Sequence, residues 1–343
     1  LSFGGSVMLV QEIYQGLLWG EDPRKLLVGL RRRLHSQFKD KHDWASITAY
    51  ASLPPDFDSQ LGDACIQQAM GSINAALRAS DRVLQSFSQR ESSIRATTAA
   101  PASDAQKRKM LDHARAQVAS AKQRLQTAID AYPEQKARIL ALLASTEKRE
   151  AQMLFHASND WNVTGSKDRM QILAGIERSR THYWDAYLLR RSHPGDLVQY
   201  LSLTLVLQHL DRLPTPLNNP KQDTLSLWLT AEVQSLNGAD AGDHGERAWA
   251  YGNLVELYLL AALVEGLGAL RAGVDFQQKA LDAARRIVSL AGASSFHVFS
   301  TRRQVLRYLE WLNELAPDLN IVGGSAEAVL NALPAGEEPD WDY

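Results

Sequence analysis

The residues best suited to metal or nucleophilic chemistry are nine histidines and a single cysteine, and their spacing argues against both uses. His113, His156, His182, His193, His209, His244 and His297 stand singly, with no HxxxH or HExxH pair to bring two imidazoles onto one helix face. Cys65 lies in the helix-like stretch GDACIQQAM and reads as a buried, idle thiol rather than a reactive one. No GxSxG elbow accompanies the scattered serines, and Gly4-Gly5-Ser6 and Gly323-Gly324-Ser325 lack the lysine of a phosphate loop. Glu147 and Glu150 read as helix-surface carboxylates paired with Lys148 or arginine neighbours. The sequence therefore assigns no catalytic residue, no metal ligand and no cofactor. Binding is the remaining chemistry. Asn159, Asn253 and Arg303 are hydrogen-bonding residues beside aromatic packing positions, which makes them candidate groove contacts for a peptide, with interhelix capping as the alternative.

Bulk properties narrow the partners. The chain has 343 residues, 45% hydrophobic and 22% charged, with a net charge of −2. No basic field exists to draw nucleic acid or an anionic membrane, and the Lys107-Arg108-Lys109 cluster has no interleaved aromatics for base stacking. The longest apolar stretch, Leu254–Leu270, is cut by Glu256 and Glu265, so no membrane span is expected. One cysteine excludes an intramolecular disulfide framework and fits a reducing, cytoplasmic setting. The opening Leu1-Ser2-Phe3-Gly4-Gly5 lacks the basic start of a secretory signal and reads as the middle of a domain, so the chain is expected to be a fragment.

The elements that must position any site are helices. Residues 246–312 read as three amphipathic helices: Trp249, Leu254, Leu257, Leu260 and Leu263 on the first, Phe276, Ala280, Ala283, Ala284 and Ile287 on the second, Val305, Tyr308, Leu309 and Leu312 on the third. Helix pairs joined by short Gly-containing turns are the unit of an α-solenoid. Earlier, residues 7–19 and a Pro23-started, Arg-rich segment read as helices, and residues 42–50, around Trp44, Ile47 and Tyr50, as a short strand. The arginines Arg24, Arg31, Arg32 and Arg33 read as a solvated face, with a phosphate or acidic-partner patch as the alternative. Helices follow over 61–90, 105–132, 134–143, 146–161, 170–191, 196–213 and 225–236, with a Ser/Thr/Ala loop over 91–104.

Two family resemblances attach to these segments. Tyr14, Leu17, Leu18, Gly20, Pro23, Arg31, Trp44, Ala45 and Tyr50-Ala51-Ser52-Leu53-Pro54 resemble the C-terminal end of a CHAT domain, the caspase-like domain found with tetratricopeptide repeats (TPRs). The resemblance covers roughly residues 3–54 and implies the last helices and last strand of an α/β protease fold. Its catalytic His and Cys would lie upstream, so His35, His42 and Cys65 inherit no role. Ser179, Tyr183 and Ala186, followed by Pro194, are similar to the second helix of a TPR, although the first helix lacks the usual Leu-Gly pair. The resemblance implies that Asn159, Asn253 and Arg303 would clamp a peptide backbone or carboxylate.

The expected organisation is a CHAT C-terminal segment (1–58), a helical connector (59–144), a TPR-like region (145–316) and an acidic, partly disordered tail (317–343). The expected fold class is all-α, antiparallel helix pairs in a TPR-like α-solenoid behind a short α/β remnant. The expected function is a protein-interaction and sensing module in bacterial signalling that binds a polypeptide and regulates an attached caspase-like peptidase. The alternatives are the inert C-terminal part of the protease itself and a homo-oligomeric scaffold.

Overall fold

The computed structural model describes residues 2–18, 22–38, 41–45, 47, 57–87, 104–131, 133–158, 160–209, 224–315 and 320–335. The fold is all-α: no strand occurs among these residues. The helices are α1 (Phe3–Leu18), α2 (Pro23–Gln37), α3 (Phe57–Phe87), α4 (Asp104–Ala131), α5 (Lys136–Ala157), α6 (Lys167–Leu189), α7 (Pro194–His209), α8 (Thr224–Ala241), α9 (His244–Leu260), the single turn α10 (Leu267–Leu270), α11 (Phe276–Ala291), α12 (Phe296–Arg307) and α13 (Asn320–Ala332). The chain forms two compact units, one of Leu1–Arg78 with Ala116–Glu134, the other of Ala79–Arg115 with Gln135–Tyr343.

In the first unit α1 and α2 form an antiparallel hairpin. Asp22 caps α2 by accepting from the Arg24 amide at 2.8 Å, and Pro23 takes the first helical position, where no amide donor is needed. A methyl on Gly16 would collide with Leu26, and Glu12 pairs with Arg33 farther along, so the two helices touch closely over their length. Leu30, Leu34 and Ile47 form the core, flanked by Met8, Leu9, Ile13, Phe38 and Trp44. The arginine-rich face is solvent-exposed at Arg32 and Arg33, while Arg24 pairs with Asp22, Arg33 with Glu12, and Arg31 donates to the Ile47 carbonyl. The expected strand is not seen where the structure can be read. Asp43–Ala45 is a 3₁₀ turn, held because the Asp43 carboxylate accepts from the Ser2 amide at 2.9 Å; positions 46 and 48–50 lie outside the described residues. Between α3 and α4, Arg124 donates to the Ser72 hydroxyl.

The second unit is built on paired helices. Small residues on α6 let α5 come close and antiparallel: a methyl on Gly175 would stand 3.1 Å from Ala151 Cβ, and the Ser179 hydroxyl donates to the Ala144 carbonyl at 2.7 Å. Ser179, Tyr183 and Ala186 all lie on this buried side. Helix α7 packs on α6, α8 on α7, and α9 contacts α7, α8, α11 and α12. Trp228 of α8 is fully buried and donates its indole N–H to the Leu257 carbonyl at 3.0 Å, fixing α8 against α9. Helix α12 runs on through a π-helical turn, Tyr308–Leu312, into a last α turn, Asn313–Leu315. Arg302 reaches α13 and caps its C-terminus, donating to the carbonyls of Leu330 at 3.0 Å and Leu333 at 2.7 Å. One apolar core runs through these helices, from Ala144 on α5 to Leu333.

Candidate functional site

Helix α5 carries a run of polar residues that folding buries. Thr146, Glu147, Lys148, Arg149 and Gln152 are all shielded from solvent, because α5 is covered on more than one side. Buried charge must find partners. Glu147 pairs with Arg178 of α6 at 2.9 Å and is not the surface carboxylate that its sequence context suggests. Thr146 satisfies its hydroxyl on the Leu142 carbonyl at 2.7 Å, within one helix, so α5 continues unbroken where two helices (134–143 and 146–161) are expected from sequence.

Lys148, Arg149 and Gln152 face a polar centre to which α3, α7, α9 and α12 also contribute. Arg149 Nε donates to Asp81 at 3.0 Å, with the two side chains 2% and 1% exposed, and its Nη1 donates to Ser145 at 2.8 Å. Arg303 of α12 donates to the other oxygen of Asp81 and lies over the Phe299 ring. One turn on, Arg307 Nε donates to the Gln152 carbonyl oxygen at 3.2 Å. Lys148 Nζ donates to the amide oxygens of Gln199 and Gln304, and sits 5.5 Å from the Tyr183 ring centre. Gln304 also donates to Gln199 at 2.7 Å, and Gln199 donates to Glu256 of α9. The chain of bonds closes at Tyr308, whose hydroxyl donates to the other Glu256 oxygen at 2.7 Å and meets the Ser202 hydroxyl.

Burial sets the electrostatics. It holds Lys148 well below the usual amine range, helped by Arg307 and opposed by Glu256. It lowers Arg307 to about 10, with Arg149 adding repulsion, so the guanidinium remains charged at neutral pH. Tyr308 is pushed well up by burial and by Glu256, and Tyr183 is pushed to about 12 by burial. Both phenols stay neutral donors. The arrangement is a buried network of hydrogen-bond donors and acceptors, converging from helices distant in sequence.

Of the residues nominated from sequence, the structure brings Arg303 into this centre. Asn253 is half-buried on α9, where a methyl on Gly195 would stand 3.5 Å from its side-chain oxygen, and no hydrogen bond joins it to Arg303. Asn159 lies outside the described residues. Asp81, Lys148, Arg149, Gln199, Glu256 and Arg307 are not found by sequence reasoning. The usable signal is that Lys148 continues the row of Leu140 and Ala144 along the core side of α5, and that Arg303 and Arg307 share one side of α12 at i, i+4.

Among the described residues no group of three or more His, Cys, Asp and Glu could hold a metal ion, and no helix is long and apolar enough to cross a membrane. The chain matches no protein-family model, no curated protein and no solved structure.

Proposed function

We propose that the second unit is a polypeptide-binding module, and that it regulates an attached caspase-like peptidase of the kind the CHAT-like segment resembles. What supports the reading most is a set of exposed aliphatic residues on two of its helices, α6 and α8. Leu188 and Leu189 of α6 are 41% and 57% exposed, and Val233 and Leu236 of α8 are 53% and 41% exposed. Gln234 of α8 reaches the end of α6, donating to the Arg191 carbonyl just past it at 3.0 Å and to the Tyr187 hydroxyl at 3.5 Å. Exposed aliphatics beside a point where two helices are bonded together are a mark of a partner surface. Binding would bias the packing of the helical array and so pass a signal to the attached domain, the differential contact that such regulation requires.

The test is a peptide-array screen with the labelled chain, followed by fluorescence anisotropy of the best binder. Leu189→Asp and Val233→Asp, both at exposed positions, are each expected to weaken that Kd by about tenfold or more. Absence of any binder, or a Kd indifferent to both substitutions, refutes the reading.

A second reading, a homo-oligomeric scaffold, is favoured by α1. Phe3, Val7, Val10 and Tyr14 are exposed by 88%, 50%, 54% and 67% and recur at steps of three and four, forming an apolar stripe along one side of that helix. Concentration-dependent mass in sedimentation, abolished by Val10→Glu, supports this reading, and a concentration-independent monomer excludes it.

A further inference from the structure

The polar centre of the second unit is out of charge balance. Three guanidinium groups, Arg149, Arg303 and Arg307, meet there with the Lys148 amine and two carboxylates, Asp81 and Glu256. Asp81 is engaged by Arg149 and Arg303, and Glu256 by the neutral donors Gln199 and Tyr308. Lys148 and Arg307 therefore donate their hydrogen bonds to amide oxygens, and among the described residues no carboxylate lies within ion-pair distance of either, Asp81 and Glu256 acting on them only from farther off. Arg307 is 3% exposed, and among the described residues its two terminal nitrogens have no hydrogen-bond partner. A buried guanidinium cannot shed its proton, and leaving such a charge uncompensated is costly.

The geometry also provides a way in. Gln199, Arg303 and Gln304 are only half-buried, so the cluster reaches the surface between α7 and α12. The two amide oxygens that accept from Lys148 carry partial charge and sit on flexible side chains, which an incoming group could displace. A π-helical turn begins at Tyr308, immediately after Arg307, and such turns are concentrated at functional sites.

We propose that this centre binds a small oxyanion, a phosphate or carboxylate group, between the Arg307 guanidinium and the Lys148 amine. Arg307 offers its two terminal nitrogens as a fork to two oxygens of the anion, and the anion in turn favours the charged form of Lys148, which donates to it. The occupied centre joins α5 to α12 through the ligand, so binding stiffens the helical array. The inference does not rest on the polypeptide reading, and either can fail without the other.

The test is calorimetric titration of inorganic phosphate, and separately of sulfate and acetate, into the full chain in a chloride buffer. One phosphate per chain is expected, with affinity about tenfold or more weaker in Arg307→Lys and in Lys148→Met. Arg285→Met is expected to bind as the unmodified chain does, because that arginine is 61% exposed and pairs with Asp282. Phosphate binding more tightly than acetate assigns a phosphoryl ligand, and acetate binding at least as well assigns a carboxylate; both support the site. Absence of stoichiometric binding by all three anions, or binding undiminished in both variants, overturns it. If a variant does not fold, reductive methylation of the unmodified chain decides: phosphate is expected to slow modification of Lys148 several-fold while leaving Lys279 unchanged, and an unslowed Lys148 overturns the proposal.

Discussion

Asp81→Asn is the substitution that most directly probes the packing of the second unit. It keeps the shape of the side chain and removes its charge. Asp81 is 1% exposed and receives Arg149 Nε at 3.0 Å, while Arg149 itself is 2% exposed; Arg303, 18% exposed, donates to the second oxygen. Breaking a buried pair from one side strands the remaining charge, at a cost of about 3–5 kcal/mol. The upper half of that range is expected, because two guanidinium groups lose their counter-charge and an amide NH₂ is turned towards one of them. Urea unfolding followed by far-UV circular dichroism reads the loss as a fall in midpoint. The double variant Asp81→Asn/Arg149→Met removes the stranded charge and is expected to recover about half of the loss, a coupling measured by the double-mutant cycle. A single-variant loss below about 1 kcal/mol, or a double variant no more stable than the single, would refute the buried pairing.

Other outcomes follow from the same packing. Gly175→Leu forces a side chain into the 3.1 Å approach between α6 and Ala151, and is expected to cost about 1–3 kcal/mol in urea unfolding. Arg302→Met removes the nitrogen that donates both hydrogen bonds to the C-terminus of α13; a loss of about 2 kcal/mol is expected, with faster amide exchange confined to that helix. His156 is lowered to about 4 by burial, so the unfolded chain binds its proton more readily than the folded one. Stability is therefore expected to fall as pH drops through the usual imidazole range and to level off near pH 4, by about 2 kcal/mol after allowing for the water that still reaches the ring, and His156→Leu should flatten that slope. Lys148 is lowered in the fold, so the stability it contributes rises with pH towards the usual amine range; Lys148→Met is expected to remove that alkaline gain in pH-dependent unfolding.

Much of the helical architecture is legible in the sequence because apolar residues recur at helical spacing. The face of Phe276, Ala280, Ala283, Ala284 and Ile287 forms α11 as expected, and the small residues Ser179 and Ala186 lie on the buried side of α6. Breaks are harder to read. Gly238 suggests a loop over 237–245, yet it lies within α8, because a residue without a side chain lets α9 approach: a methyl there would stand 3.3 Å from Ala250 Cβ. Tertiary packing overrides its poor helix propensity. The 3₁₀ turn at Asp43–Ala45 depends on a bond to Ser2, 41 residues away, which no local pattern contains. The polar centre is hidden for the same reason. Asp81, Arg149, Gln199, Glu256 and Arg303 lie on helices far apart in sequence, and each alone resembles an ordinary surface charge or amide. What the sequence does carry is the interruption of core-facing rows at Lys148 and at Arg303 and Arg307, which becomes meaningful once the rows are known to be covered.

The most direct test of the binding-module account is amide hydrogen exchange of the chain with and without the peptide that binds best. Slowed exchange at the C-terminal end of α6 and along the middle of α8, with the exposed faces of Leu188, Leu189, Val233 and Leu236 at its centre, is the expected result. Exchange unchanged there, or slowed only along α1, would contradict a partner surface on the second unit and leave self-association through the first unit as the reading to pursue.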